Sequence, residues 1–93
     1  DMSERNQHVG VVKKREVFNL TLFAVFADFE GRYGPQFTHY MRDSNGNSVV
    51  YKGTKKLSVN EGDKVSIKAT VKSHWIGKYD GRKATYINRP AIV

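Results

Sequence analysis

Cysteine is absent from this 93-residue sequence. Disulfides, thiolate metal sites and a cysteine nucleophile are therefore excluded. Long apolar runs are also missing, since the longest, residues 22–27, is far shorter than the ~20 residues that a membrane-spanning helix needs. Residues 1–4 supply neither a basic nor an apolar region, so we expect no signal peptide there. These absences predict a soluble, cytoplasmic protein without membrane contact.

Acidic residues are scarce in the last third of the chain. Residues 64–93 hold seven Lys or Arg against the single Asp80, which is +6, whereas residues 1–63 hold nine basic and eight acidic side chains, which is +1. The net charge is +7 and the sequence pI is about 9.8. Such a balance favours nucleic acid over an anionic membrane as partner. The alternative is an ordinary basic, solvated surface.

Apolar residues at helical spacing are missing too, and the chain is rich in Val, Ile, Thr, Tyr and Phe between glycine-containing turns. This pattern predicts an all-β domain. We expect residues 1–10 to form a flexible or capping segment and residues 11–93 to form one domain. The predicted strands span residues 16–29, 36–43, 48–54, 63–73 and 82–88. The first is apolar on both faces, which indicates a long curved strand shared between two sheets and buried on both sides.

The turns set the predicted order of the strands. Asn45-Gly46 predicts a two-residue type I′ hairpin, which would place Tyr40 opposite Tyr51 on the outer face. Residues 55–62 are too few for a full helix, and residues 74–81 form a loop that carries Trp75. A five-stranded Greek-key barrel of the OB-fold type, with little or no helix between strands three and four, fits this order best. An SH3-like barrel and a small sandwich are the alternatives.

Two stretches, residues 33–54 and 57–89, carry a more specific pattern. It consists of Tyr-Gly before strand two, Asp-x-x-Gly-Asn in the hairpin, Gly before strand four, Val-Lys-x-His after it, and a closing segment at Tyr79, Gly81, Lys83, Thr85 and Arg89. The pattern resembles small OB-fold modules encoded by bacteriophages and other mobile elements. It departs at residue 51, often Trp there and Tyr here, and in the apolar pair that follows His74. The resemblance implies binding of single-stranded DNA in replication or recombination.

Single strands are held by basic grooves along the phosphates and by aromatic rings on which bases stack. In an OB-fold this site lies on strands two and three and on the loops between strands one and two and between strands four and five. The candidate nucleic-acid-binding residues in those places are Arg32, Tyr33, Tyr40, Arg42, Tyr51, Lys68, Lys72, Trp75, Lys78, Tyr79, Arg82 and Lys83. Several have structural alternatives: Tyr40 and Tyr51 as core residues, Trp75 and Tyr33 as covers of a barrel end, and Lys68 and Lys72 as a solvated face.

Catalytic signatures are missing. The three histidines have no ligand spacing, and no serine–histidine arrangement or nucleotide-binding loop is present. We therefore expect no enzyme activity, metal or cofactor. Single-stranded DNA is the expected partner; RNA, or a protein partner for an interaction or assembly module, is the alternative. The sequence leaves open whether the chain forms a homo-oligomer or belongs to a larger parent protein.

Overall fold

The computed structural model describes residues 7–32 and 34–93. Its strands are β1 (Arg15–Asp28), β2 (Gln36–Arg42), β3 (Ser48–Gly53), β4 (Lys64–Ile76) and β5 (Lys83–Ile92). They close into a barrel in the order β1-β2-β3-β5-β4, in which β3 and β5 are parallel and the other neighbours antiparallel. The expected all-β, OB-fold-like architecture is confirmed. The described residues contain no helix long and apolar enough to cross a membrane.

β1 belongs to two parts of the barrel wall. Its residues 15–21 pair with β4 and its residues 21–28 pair with β2. The register with β2 shifts between Leu22 and Ala24, which leaves Phe23 as an extra residue in a β-bulge. A bulge bends the strand, so it lets β1 pass from one partner to the other. The predicted long shared strand is confirmed.

The prediction that β1 is buried on both faces is wrong. Its inner face buries Phe18, Leu20 and Leu22, but Phe23 and Phe26 are exposed on the outside. Apolar residues on both faces of this strand predict that both faces are buried, but a closed barrel has only one apolar interior.

The core fills the barrel from alternating positions of the strands. On β4, Ile67, Ala69 and Val71 are buried, as the alternation predicts. The cluster also includes residues from all the other strands: Phe18, Leu20, Leu22, Met41, Val49 and Ile87. The barrel wall is thus a single layer of strands whose side chains alternate between the interior and the outer surface.

The two barrel ends are covered by connecting segments. At one end Leu57 and Val59, from the connection between β3 and β4, pack against the core. At the other end Val9 packs on the core and its backbone N–H donates to Thr85 Oγ1 at 2.9 Å. Residues 7–10 of the predicted N-terminal segment thus contact the barrel, and residues 1–6 lie outside the described residues.

The hairpin between β2 and β3 differs from the predicted type I′ turn. Gly46 has a φ of 83°, but Asn45 has no positive φ, and the Gly46 N–H donates to the Asp43 carbonyl at 3.1 Å. This is a type I turn followed by a left-handed glycine, which gives a three-residue loop. The Asp43 carboxylate stabilises it by accepting from the backbone N–H groups of Asn45 and Asn47, each at 2.9 Å.

The hairpin between β4 and β5 has longer strands and a shorter loop than predicted. β4 continues to Ile76, so Trp75 lies on a strand and pairs with Ala84 rather than lying in a loop. β5 continues past Pro90, and its last residues pair with β4. The expected end of the fifth strand at residue 88 is therefore wrong.

Candidate nucleic-acid interface

Exposed aromatic rings gather on the outer wall where β1 meets β2. Tyr40 pairs with Ala24, and its ring meets the ring of Phe26 edge-on at 5.6 Å between centroids. The Arg42 guanidinium lies 5.1 Å from the centroid of the Phe23 ring. Phe23, Phe26 and Tyr40 are 55%, 63% and 44% exposed. We call Phe23, Phe26, Tyr40 and Arg42 the aromatic face.

A shallow cavity lies on the aromatic face. It has a volume of about 280 Å³. Its lining comprises Phe23, Tyr40, Met41, Arg42, Ser48 and Val50. Pockets for drug-sized ligands begin at roughly 300 Å³, so this one lies at the lower edge of that range.

The outer wall continues from Tyr40 across the remaining strands. Tyr40 pairs with Val50 on β3, which in turn pairs with Tyr86 on β5. Tyr86 lies 6.5 Å from Trp75 between ring centroids. Trp75 is half-exposed, so a second aromatic group stands at the far side of the same outer wall.

Three of the rings on this wall are not among the binding residues that the sequence predicts. The sequence pattern assigns Phe23 and Phe26 to a strand buried on both faces, and Tyr86 lies on the fifth strand, outside the strands and loops where an OB-fold site is expected. No alternation signal finds both phenylalanines, because residues three apart lie on opposite faces of a regular strand and only the β-bulge at Phe23 brings Phe23 and Phe26 to the same side.

Tyr51 does not belong to this surface. It pairs with His39, not Tyr40, and packs against the core from the inner side of β3. The three-residue hairpin loop shifts the pairing by one residue from the predicted register, and such a shift moves side chains to the opposite face. The prediction that Tyr40 and Tyr51 face each other on the outside is therefore wrong.

His39 lies beside Tyr51 and is fully buried. Its Nε2 accepts from the Leu57 backbone N–H at 3.1 Å, and its Nδ1 lies 3.2 Å from the Tyr51 carbonyl. Because Nε2 accepts, the proton sits on Nδ1 and the ring is neutral. Desolvation by burial lowers the pKa of His39 below its usual value. This histidine is part of the barrel interior rather than of the binding surface.

The loop between β4 and β5 carries several predicted residues at the end of a hairpin. Tyr79 is 94% exposed and Lys78 Nζ lies 5.9 Å from its ring centroid. Arg82 pairs with Asp80 at 3.6 Å with both side chains largely exposed. Lys83, at the start of β5, donates to the Gln7 side-chain oxygen at 2.8 Å. Lys78 and Tyr79 are thus placed for contact with a ligand, whereas Asp80 offsets part of the charge of Arg82.

The loop between β1 and β2 is only partly described. Arg32 is exposed, and Tyr33 lies outside the described residues. Nearby, the rings of Phe29 and Phe37 meet edge-on at 6.2 Å between centroids. Phe37 lies on the same side of β2 as the buried His39, so the Phe29–Phe37 pair lies on the opposite side of that strand from Tyr40.

Lys68 and Lys72 lie on another part of the wall. Lys68 pairs with Val17 on β1 and Ala91 on β5, whereas Tyr40 pairs with Ala24 on the other half of β1. Lys72 is exposed at the β-bulge between Val71 and Ser73. Neither lysine contacts the aromatic face.

Histidine side chains meet at one place on the surface. The rings of His8 and His74 stack at 4.5 Å with an interplanar angle of 3°. His8 Nε2 contacts the Trp75 carbonyl at 2.9 Å, and this contact attaches the N-terminal segment to β4. The described residues contain no group of three or more His, Cys, Asp or Glu side chains that could hold a metal ion.

Comparisons with known proteins add no assignment to this geometry. No protein-family model matches the chain, and neither a curated protein nor a solved structure matches it. Functional interpretation therefore depends on the barrel architecture and on the side chains of its outer wall.

Proposed function

We propose that this protein binds single-stranded DNA, with little preference for sequence, through the aromatic face. The observation that supports this most is the pairing of exposed rings with cations, above all Phe23 with Arg42. Bases stack on aromatic rings whatever their sequence, and each stack contributes about 1–3 kcal/mol. Cations beside the rings neutralise the phosphates that connect the stacked bases.

The wall architecture supports the same proposal. OB-folds bind oligonucleotides on the face formed by the second and third strands and on the adjoining loops. Here Tyr40 lies on β2, and the exposed Tyr79 lies in the loop between β4 and β5. The motif resemblance to phage and mobile-element modules extends the proposal to a role in DNA replication or recombination.

A titration of short oligo-dT against the protein tests the proposal through the fluorescence of Trp75. Trp75 is the single tryptophan and lies half-exposed on the same outer wall. We expect saturable quenching, with an affinity that falls on a log–log salt plot with a slope near −0.7 for each phosphate contacted. An affinity that does not change between low and moderate salt, or no binding at all, would contradict the proposal.

One observation favours a second function, a protein-interaction module. Phe23 and Phe26 are both more than half exposed and have no polar group. Contiguous exposed apolar surface marks protein interfaces as well as ligand sites. The same residues therefore serve as anchors in this alternative.

Phe26→Leu separates stacking on the ring from plain apolar contact at this face. Leucine keeps most of the apolar area but has no aromatic ring for a base. DNA binding should weaken about as much in Phe26→Leu as in Phe26→Ala, because stacking is lost in both. Full DNA affinity in Phe26→Leu, with a loss only in Phe26→Ala, would show that apolar contact rather than stacking is what the face provides. A competition between matched DNA and RNA strands then determines which polymer is preferred.

A further inference from the structure

A second basic surface lies on the outer wall where β4 meets the first half of β1. The outward residues there alternate in register: Arg15 pairs with Thr70, Val17 with Lys68, and Thr21 with Lys64. Lys72 continues the series on β4 at the bulge. We call Arg15, Lys64, Lys68 and Lys72 the lysine face; all four are exposed.

The lysine face contains no acidic and no aromatic side chain. Its remaining outward residues on the two strands are Val17, Asn19, Thr21, Ser66 and Thr70. Among the described residues the ion pair is that of Arg82 with Asp80, in a different loop. The four cations of the lysine face thus form no ion pair with a described carboxylate, and its three lysines are three of the seven cations in residues 64–93.

The chemistry of the lysine face suits phosphates and not bases. Lysine and arginine neutralise phosphates, and hydroxyl groups donate hydrogen bonds to phosphate oxygens. Unpaired bases need flat rings on which to stack, and the face offers none. Arg15 is held in place, because its Nη1 donates to the Arg89 carbonyl at 2.8 Å. Contacts made here would follow a sugar–phosphate backbone whatever its sequence.

The geometry of β4 connects this surface to the aromatic residues. Lys64, Lys68 and Lys72 recur at every fourth residue, about 13 Å apart along an extended strand. Lys72 lies three residues before Trp75 on the same strand. A nucleic-acid strand that leaves the outer wall at Trp75 would meet Lys72 first and then Lys68.

From this arrangement we infer that the lysine face is a second contact site that binds the phosphates of a longer single strand beyond its stacked bases. The occupant is the backbone of the same strand, and the inference rests on the proposed function. Short strands are held by the aromatic face alone. Longer strands gain affinity and salt dependence from the lysine face.

A pair of matched double variants tests this inference. Lys64→Gln/Lys68→Gln removes two charges from the lysine face, and Lys55→Gln/Lys56→Gln removes two exposed charges from the connection between β3 and β4. Each is titrated with oligo-dT of about 8 and about 30 nucleotides, the shorter length lying within the usual site size of one OB-fold. Circular dichroism checks that both variants fold.

We expect Lys64→Gln/Lys68→Gln to weaken binding of the long strand by about 3- to 10-fold at moderate salt and to reduce the magnitude of its log–log salt slope by about 1.4. Binding of the short strand should stay unchanged, and Lys55→Gln/Lys56→Gln should affect neither length. Equal effects on both lengths, or equal effects of both double variants, would overturn the inference.

Failure of the inference is distinguishable from failure of the proposed function. If the unchanged protein binds neither strand, the proposed function fails and the inference with it. If it binds the short strand but the lysine variant behaves like the unchanged protein on the long strand, only the inference fails. Binding to phosphatidylserine vesicles that is lost in Lys64→Gln/Lys68→Gln, with unchanged DNA binding, would also overturn it and assign the face to lipid.

Discussion

Tyr40 and Tyr51 occupy neighbouring strands of the barrel wall but lie on opposite sides of it. Tyr40 is on the outside, edge-on to Phe26, whereas Tyr51 is on the inside, 5.2 Å from the His39 ring. The loop that joins their strands decides this difference. A two-residue loop would place both rings on one face, and the three-residue loop closed by Asp43 places them on different faces.

The comparison teaches that residue type alone does not assign a role on a sheet of this kind. Both tyrosines lie near a basic residue in sequence, Arg42 for Tyr40 and Lys52 for Tyr51, and both fit a stacking role by residue type. Of the two, Tyr40 lies exposed on the outer face and Tyr51 packs against the core. The register of one hairpin thus separates a residue expected to stabilise the fold from one expected to bind a base.

The largest expected effect is on stability at Tyr51. Tyr51→Ala removes a partly buried ring from the core, where loss of a large aromatic side chain costs up to about 3–5 kcal/mol. We expect the free energy of unfolding to fall by about 2–4 kcal/mol, measured by urea denaturation. Tyr40→Ala is the matched control, and its cost should stay below about 1 kcal/mol because the ring is exposed. The opposite order would place Tyr51, and not Tyr40, on the outside.

The next effect is on DNA affinity at the aromatic face. Tyr40→Ala and Phe23→Ala should each weaken binding of short oligo-dT by about 5- to 150-fold, the equivalent of one lost stack. Fluorescence titration under identical salt conditions measures the change. Val11→Ala removes exposed apolar area from the N-terminal segment and serves as control. If Val11→Ala weakened DNA binding as much as Tyr40→Ala does, the aromatic face would not be the specific site of binding.

A smaller effect on stability is expected in the hairpin between β2 and β3, whose loop places Tyr40 and Tyr51 on opposite faces. Asp43→Ala removes hydrogen bonds to the backbone of Asn45 and Asn47 and to the Asn47 side chain. We expect a loss of about 1–3 kcal/mol in the free energy of unfolding. Asp43→Asn keeps one acceptor oxygen and should cost less. If Asp43→Ala were as stable as the unchanged protein, the carboxylate would not be what holds the three-residue loop.

The smallest effect is the pH dependence from His39, next to Tyr51. Its pKa is lowered in the folded barrel by desolvation, whereas an unfolded histidine has a pKa near 6.5. The unfolded chain therefore binds more protons between these two values, and stability is complete above about pH 6.5 and falls as the pH drops below it. Urea denaturation at pH 7 and pH 5 measures this decline. His39→Gln should show a shallower decline, and an unchanged pH dependence in that variant would assign the effect to other groups.

The strand order and the inner face of β4 could be predicted from the sequence, because clean alternation and glycine turns determine them. The hairpin register could not be predicted, since Asn-Gly fits both a two-residue loop and a three-residue loop. What distinguishes them is the side chain of Asp43, which becomes visible as an acceptor only once the backbone is placed. Trp75 was misplaced for a related reason: its strand runs beyond the alternating apolar core and carries no further pattern.

The sequence predicted the types of residue at the candidate site better than it predicted which individual residues form it. Arg42, Tyr40 and Tyr79 were selected by type and position, and the structure places them on the outside. Phe23 and Phe26 were not predicted as binding residues because a sequence pattern assigns apolar residues to the core. That the outer side of this strand is exposed becomes known only from the structure. Lys68 and Lys72 were selected for the same site as Tyr40, but the curvature of β1 places them on a different part of the wall.

Photocrosslinking tests the central claim, that unpaired bases stack on the aromatic face, most directly. Oligo-dT that carries 5-iodouracil is irradiated in complex with the protein, and the crosslinked residues are identified by mass spectrometry. The proposed binding mode predicts crosslinks at Phe23, Phe26 and Tyr40. In Tyr40→Ala the crosslink at residue 40 should be lost, and the crosslinks at Phe23 and Phe26 should remain. Crosslinks confined to peptides outside β1 and β2, or none at a concentration where the oligonucleotide binds, would contradict the claim.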